Sequence, residues 1–178
     1  MTVAIVTPVA LLLGLLGGHL AAVRRRHLTL RGAGPIRRIL LPFTGTSISR
    51  RALDAAVRLA GAEGATLVPA YLAPVPMHLP LDAAIARQCQ TALPLLEAIE
   101  QRALGQEIPV ESRIERGRSY RDALRRILAE EPFDRVIVSA TSNDHDGFSA
   151  EDIVWLLKRA PAEVLILRPD PRDERTVR

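Results

Sequence analysis

Two kinds of apolar run alternate along this chain. Short β-branched stretches read as strands, and longer stretches with apolar residues every three or four positions read as helices. Residues 37–43 (RRILLPF) form a compact buried-strand candidate followed by the polar turn 44–47. Ser49 is placed to cap a helix whose apolar face is Ala52, Leu53, Ala56, Val57, Leu59 and Ala60, with Gly61 and Gly64 as its stop. Residues 65–73 make a second strand, although Pro69, which cannot donate to a ladder, either weakens that reading or falls near a strand end. Pro74, Pro76 and Pro80 stiffen the loop that follows, and 81–104 has the length and alanine content of a crossover helix with Pro94 as a place to kink.

Residues 109–115 alternate as a third strand. After the turn at 117–119, Ser119 and Asp122 form a capping-box pattern ahead of a helix carrying Tyr120, Leu124, Ile127 and Leu128. The stretch 134–169 then reads as one complete βαβ unit: a strand at 134–141, a polar loop to Gly147, an apolar-periodic helix, and a strand opening at Glu163. Five strands alternating with helices, the strands apolar almost throughout, give a doubly wound α/β fold with an open five-stranded parallel sheet. In such a sheet the loop after the 134–141 strand is where a ligand is expected.

The first segment does not fit this pattern. Residues 3–23 are an uncharged apolar run of about bilayer length, interrupted by Thr7, Pro8 and His19. Basic residues follow the run as Arg24, Arg25 and Arg26, whereas a cleavable signal peptide would carry them in front. The expectation is a single-pass helix in the cytoplasmic membrane with the rest of the chain in the cytoplasm; a signal peptide and a buried helix are the alternatives. Ala10, Gly14, Gly18 and Ala22 line one face, which either lets two helices approach closely or reflects the ordinary small-residue content of membrane helices. Residues 24–35 read as a basic linker reaching roughly 40 Å, residues 36–169 as the folded domain, and 170–178 as a charged tail expected to be disordered.

Composition sharpens the list of partners. The pI near 10.1 comes almost wholly from arginine, since Lys158 is the only lysine. The early cluster Arg24, Arg25, Arg26, Arg31, Arg37, Arg38, Arg50 and Arg51 precedes the first acid, Asp54, and beside an apolar run it suits anionic headgroups. Aromatic residues are only 3% of the chain, too few for base stacking, so no nucleic-acid partner is expected. Cys89 is the single cysteine and cannot form an internal disulfide, which fits a reducing compartment.

Several stretches, taken in order, resemble the universal stress protein family. They are Ile39-Leu-Leu-Pro-Phe43 with its serine-rich turn and the Arg50-Arg-Ala-Leu53 helix start, the proline-rich loop after the second strand, Glu115-Arg-Gly117, the strand Val136-Ile-Val138, and the ending from Ala160 to Pro169. The resemblance covers about three quarters of the chain. It implies strand order 3-2-1-4-5, a ligand crevice between the C-terminal ends of the first and fourth strands, and a homodimer, often through the last strand. It also brings ATP as a family ligand, with crevice positions at Thr44 and Gly45 after the first strand and at Thr141, Ser142, Gly147 and Ser149 after the fourth.

The residues depart from the family's phosphate chemistry. Nucleotide-binding members carry an aspartate where Thr44 stands, and a G-x-x-G, nine residues, G-[S/T] pattern whose backbone amides wrap phosphates. Here the loop runs Ala140, Thr141, Ser142, Asn143, Asp144, His145, Asp146, with Gly147 its one glycine. Ser149 and Asp152 form a second capping-box pattern and Glu151 joins them in the first turn, so carboxylates already occupy the positive helix end. A phosphate there meets repulsion of roughly 1 to 4 kcal/mol per charge pair at about 4 Å. Standard ATP binding is therefore disfavoured, and the cofactor is left open.

Other chemistry is thin. Asp144, His145 and Asp146 could hold a divalent ion but match no closed metal motif. Ser139, Ser142, Asp144 and His145 lie close together without a nucleophile elbow, so no catalytic residues are assigned. Trp155 sits among Ile153, Val154, Leu156 and Leu157 and serves either core packing or a docking surface. The expectation from sequence is a membrane-tethered regulatory or protein-binding module with an unidentified protein partner. A nucleotide-responsive protein using an altered loop is the alternative, with a nucleotide hydrolase behind it.

Overall fold

Alternation within the apolar strands decides the layering, because successive side chains point to opposite faces of a sheet. In the computed structural model, residues 35–83, 85–140 and 147–168 are described. They run β1 (Arg38–Phe43), α1 (Arg50–Glu63), β2 (Thr66–Pro74), α2 (Ala86–Leu104), β3 (Arg113–Gly117), α3 (Tyr120–Glu130), β4 (Arg135–Ser139), α4 (Ala150–Arg159) and β5 (Glu163–Leu167). All strand pairs are parallel, in the order β3-β2-β1-β4-β5. Ile39, Leu41, Phe43, Leu67, Tyr71 and Ile137 face α1 and α2. Leu40, Val68, Leu72, Val136 and Val138 face α3 and α4, where Leu124, Ile127, Phe133 and Leu156 complete the second core. Both faces of the central strands are covered, which is why their sequences are apolar without a polar alternate.

Helix ends follow their caps. Ser49 Oγ accepts from the Ala52 N–H at 3.3 Å, and α1 stops at Gly64, whose φ of 63° is the left-handed conformation glycine adopts freely. Gly61 lies inside α1 and only Gly64 ends it. At α3 the capping box is half formed: Ser119 Oγ accepts from the Asp122 N–H at 3.1 Å. The Asp122 carboxylate reaches past Ser119 to the Arg118 N–H at 2.9 Å. Helix α2 begins at Ala86, later than its apolar pattern suggested, and continues through Pro94.

Two strand boundaries shift for one reason. Pro69 lies in the middle of β2, opposite Leu41 of β1, not near an end. Leu67 sends both backbone groups towards the β3 side, its N–H to Pro109 O and its C=O to the Glu111 N–H, each at 2.9 Å. Two residues on, Pro69 faces the same way and has no N–H to extend that ladder. The pairing is reduced to an isolated Leu67–Val110 bridge, and β3 starts at Arg113 instead of Pro109.

The N-terminal end of the sheet is tied by charge. The Asp134 carboxylate accepts from the N–H groups of Arg37 and Arg38 at 2.8 and 3.0 Å. Arg38 bridges Glu111 and Glu131 and lies 5.5 Å over the Phe133 ring. Among the described residues no helix is long and apolar enough to cross a membrane. The run 3–23, most of the basic linker and the tail lie outside the described residues, as do Thr141, Ser142 and the acids Asp144 and Asp146.

Candidate functional site

The site lies where the strand order reverses. β1 pairs with β2 over six residues but with β4 over only two, Ile39 with Arg135 and Leu40 with Val136. Beyond that point β1 and β4 have no paired residues, and the crevice expected of an open α/β sheet lies between their C-terminal ends. Thr44, one residue past β1, is the only buried polar residue among those described, with 2% of its surface exposed. Its hydroxyl meets Gly147 twice, accepting from the N–H at 3.3 Å and donating to the C=O at 3.4 Å. These long hydrogen bonds tie the return of the β4–α4 loop to the end of β1.

Gly45 turns the chain away with φ 78°, and Gly147 adopts φ 114°. Both values are open to glycine and strained for other residues, so the two crevice glycines serve backbone shape. Phe148 follows, buried in the α3–α4 core, with its N–H on Ser139 O at 3.1 Å. Sequence reasoning passed over Phe148. Its signal was position: an apolar residue just before the cap Ser149 and five before Ile153 occupies the place of a hydrophobic staple.

The N-terminus of α4 is filled by the protein's own groups. Ser149 Oγ accepts from the Asp152 N–H at 3.2 Å, and the Asp152 carboxylate accepts from the Ser149 N–H at 3.2 Å and hydroxyl at 2.8 Å. The other carboxylate oxygen accepts from Arg121 through Nε at 3.1 Å and Nη2 at 2.8 Å. Burial pushes the Asp152 pKa up, but the hydrogen bonds from Arg121 and Ser149 more than offset it and hold the carboxyl below its ordinary value. A carboxylate therefore sits at the helix end where a phosphate would otherwise be received.

A second loop overlooks this end of the sheet. Arg118 Nη1 donates to Pro76 O and Leu79 O, both at 2.7 Å, with Val75 O at 3.5 Å. Arg116 reaches Asp82 O at 3.2 Å. The proline-rich segment is thus fastened to the end of β3 by two arginines that sequence reasoning left unassigned. Gly117 between them is sterically required: a Cβ there would lie 2.3 Å from the Ala123 nitrogen.

A family model for the universal stress protein family matches residues 35–168. The chain belongs to the universal stress protein family. Among solved structures, a universal stress family protein from Burkholderia pseudomallei is 22% identical, with 78% of this chain covering 99% of that one at a TM-score of 0.59. A universal stress protein in complex with cAMP is 20% identical, with coverage of 77% and 100% and a TM-score of 0.56. A family protein from Arabidopsis thaliana with AMP bound is 13% identical, covering 79% and 95% at 0.54. At these identities the likeness establishes the fold. Comparison with curated proteins yields no match.

Within this universal stress fold the structure brings Thr44, Gly45, Gly147 and Ser149 to one end of the sheet, while Thr141 and Ser142 lie outside the described residues. Among the described residues no group of three His, Cys, Asp or Glu side chains is placed to hold a metal ion; Asp144, His145 and Asp146 lie outside them. Cys89 is half-buried against the α1–α2 core. Trp155 is half-buried as well, packed on the α3–α4 core beneath the Arg121 guanidinium at 5.9 Å.

Proposed function

We propose that this universal stress family protein is a membrane-tethered regulatory or protein-binding module, facing the cytoplasm, that does not use the family's glycine-loop route to ATP. The observation that carries the reading is the closed arrangement at the crevice. Thr44 is bonded to Gly147, and the α4 N-terminus is occupied by Ser149 and the Arg121-paired Asp152. A phosphate arriving there must displace an internal carboxylate that is already hydrogen-bonded. The tether is the apolar run 3–23 with its arginine stop.

Self-association is part of the reading. β5 is an edge strand, and Ile166 on it is exposed, as are Val154 and Leu157 on the helix leading into it. An open apolar edge of this kind suits pairing with a second copy.

The second reading is nucleotide binding through the altered loop, favoured by the cAMP and AMP carried by the two relatives above. Calorimetry with ATP, ADP, AMP and cyclic nucleotides, with and without Mg²⁺ or Mn²⁺, separates the two. No heat of binding is expected; micromolar binding overturns the first reading, and ATP turnover overturns it as well and makes the protein a nucleotide hydrolase. Removal of residues 1–23 is expected to move the protein from the membrane to the soluble fraction, and a full-length chain that is already soluble refutes the tether. Sedimentation of the detergent-solubilised chain reads the dimer, which a monomer profile removes.

A further inference from the structure

The crevice lies at one end of α3 and α4, and a separate groove opens between these helices toward their other end. Its volume is about 540 Å³ and it is lined by Arg125, Leu128, Ala129, Trp155, Arg159 and Pro161. The lining follows from helix periodicity. Arg121, Arg125, Leu128 and Ala129 form one stripe of α3, and Trp155 and Arg159, four apart, form the facing stripe of α4. Leu128, Ala129, Trp155 and Pro161 supply apolar surface, while Arg125 and Arg159 add two cations and no lining residue is acidic.

Apart from Asp122, nearby carboxylates are committed elsewhere. Asp152 holds Arg121, Glu130 faces Arg126 at 3.8 Å, Glu131 joins Arg38 and Arg113, and Glu163 holds Arg135 at 2.6 Å. Asp122 pairs with Arg125 at 2.6 Å, but that guanidinium is largely exposed, with 64% of its side-chain surface open. Arg159 is exposed, and its guanidinium has no ion pair or hydrogen bond among the described residues. The groove is thus an apolar slot with a positive rim.

We propose that this groove docks a partner peptide in which an apolar side chain is flanked by carboxylates. The inference rests on the protein-binding reading above and names the partner's chemistry. The apolar anchor fills the slot against Trp155, a residue type enriched in binding hot spots, and the flanking acids meet Arg125 and Arg159. A second copy of the groove is a poor occupant, because a two-fold contact would set these arginines against their own equivalents. Glu130 and Glu163 belong to the same end of the domain, which favours a narrow peptide over a flat anionic surface.

The test uses the detergent-solubilised full chain and a displayed library of random dodecapeptides. Selected peptides are synthesised with a fluorophore and titrated by anisotropy. Trp155 is the only tryptophan, so its emission reports occupancy of the groove directly. The expected consensus is an apolar residue with Asp or Glu within two positions, and its binding changes Trp155 emission. Arg159→Glu is expected to weaken it by about tenfold or more, and Lys158→Glu, an equal charge change one residue back and outside the lining, by less than about twofold. Both side chains are exposed, so the variants retain the fold, which circular dichroism checks.

The proposal is overturned if no peptide is enriched, if the consensus lacks acids, or if the two variants lose binding equally. It is also overturned if Arg159→Glu alters the sedimentation mass, marking a copy interface, or if phosphatidylglycerol changes Trp155 emission in the wild type but not in Arg159→Glu, marking a lipid site. Nucleotide calorimetry keeps the two readings apart. A failed peptide selection without nucleotide binding removes only this groove, whereas nucleotide binding removes the reading on which it rests.

Discussion

Replacing Asp152 by alanine removes four hydrogen bonds at once: those from the Ser149 N–H and hydroxyl and the two from Arg121. The reciprocal bond from the Asp152 N–H to Ser149 Oγ survives, so the cap is halved and not abolished. Losses at helix caps run to about 0.5–2 kcal/mol. The ion pair is partly exposed, with side-chain exposures of 41% for Arg121 and 28% for Asp152, and solvent screening holds it to about 1 kcal/mol or less. The sum is about 0.5–3 kcal/mol, or a fall in Tm of roughly 1–12 °C for a domain of this size.

The pH dependence supplies the decisive control. Asp152 has a folded-state pKa below its unfolded value. Its charge-linked stability is therefore present at neutral pH and above the unfolded pKa, and is lost as pH falls through the folded pKa. Urea denaturation of wild type and Asp152→Ala, followed by Trp155 fluorescence and far-ultraviolet circular dichroism, should give a gap that narrows from pH 7 towards pH 3. A gap of under about 0.5 kcal/mol at pH 7, or one constant across that range, refutes the assignment of Asp152 as the charged lock on α4.

Three further outcomes follow from single sites. Gly117→Ala drives a Cβ to 2.3 Å from the Ala123 nitrogen and 2.7 Å from its Cα, so a loss of about 1–3 kcal/mol or more in unfolding free energy is expected from urea denaturation. The pKa of Glu115 is raised by burial and by Glu130, against the lowering effects of Arg126 and Arg113. A raised carboxyl pKa favours the folded state while the group is protonated and subtracts stability as pH rises through the folded value. Glu115→Gln should therefore compare better with wild type at pH 7 than at pH 4, and the reverse order contradicts the sign. Thr44→Val keeps the shape but removes the hydroxyl on Gly147; a loss of about 1 kcal/mol and faster hydrogen exchange at the Gly147 amide are expected, and unchanged exchange denies the bridge.

Much of the fold was legible because strands buried on both faces must be apolar throughout and helix starts carry polar caps. Ser49 and the Ser149–Asp152 box could be read directly, since each acts within three residues of itself. Pro69 was misplaced because its effect depends on a neighbour distant in sequence: only the register against 109–111 shows where its missing N–H falls. The candidate site was legible in position and not in contact. Thr44 was picked out as a departure from the family pattern, but its bond to Gly147 spans 103 residues.

Local chemistry, then, was fixed by the order of residues: alternation, caps, turn glycines, the acidic first turn of α4, and the apolar run 3–23 with its arginines. What the tertiary structure alone decided is which distant groups meet. Arg121 reaches Asp152 across 31 residues, Arg118 clasps the proline-rich loop from β3, and Trp155 comes to line a positively rimmed groove with Leu128 and Arg125. The physical reason is that side-chain pairings between elements depend on crossing geometry and register, which are set by the packing of two cores and leave no local trace in the chain.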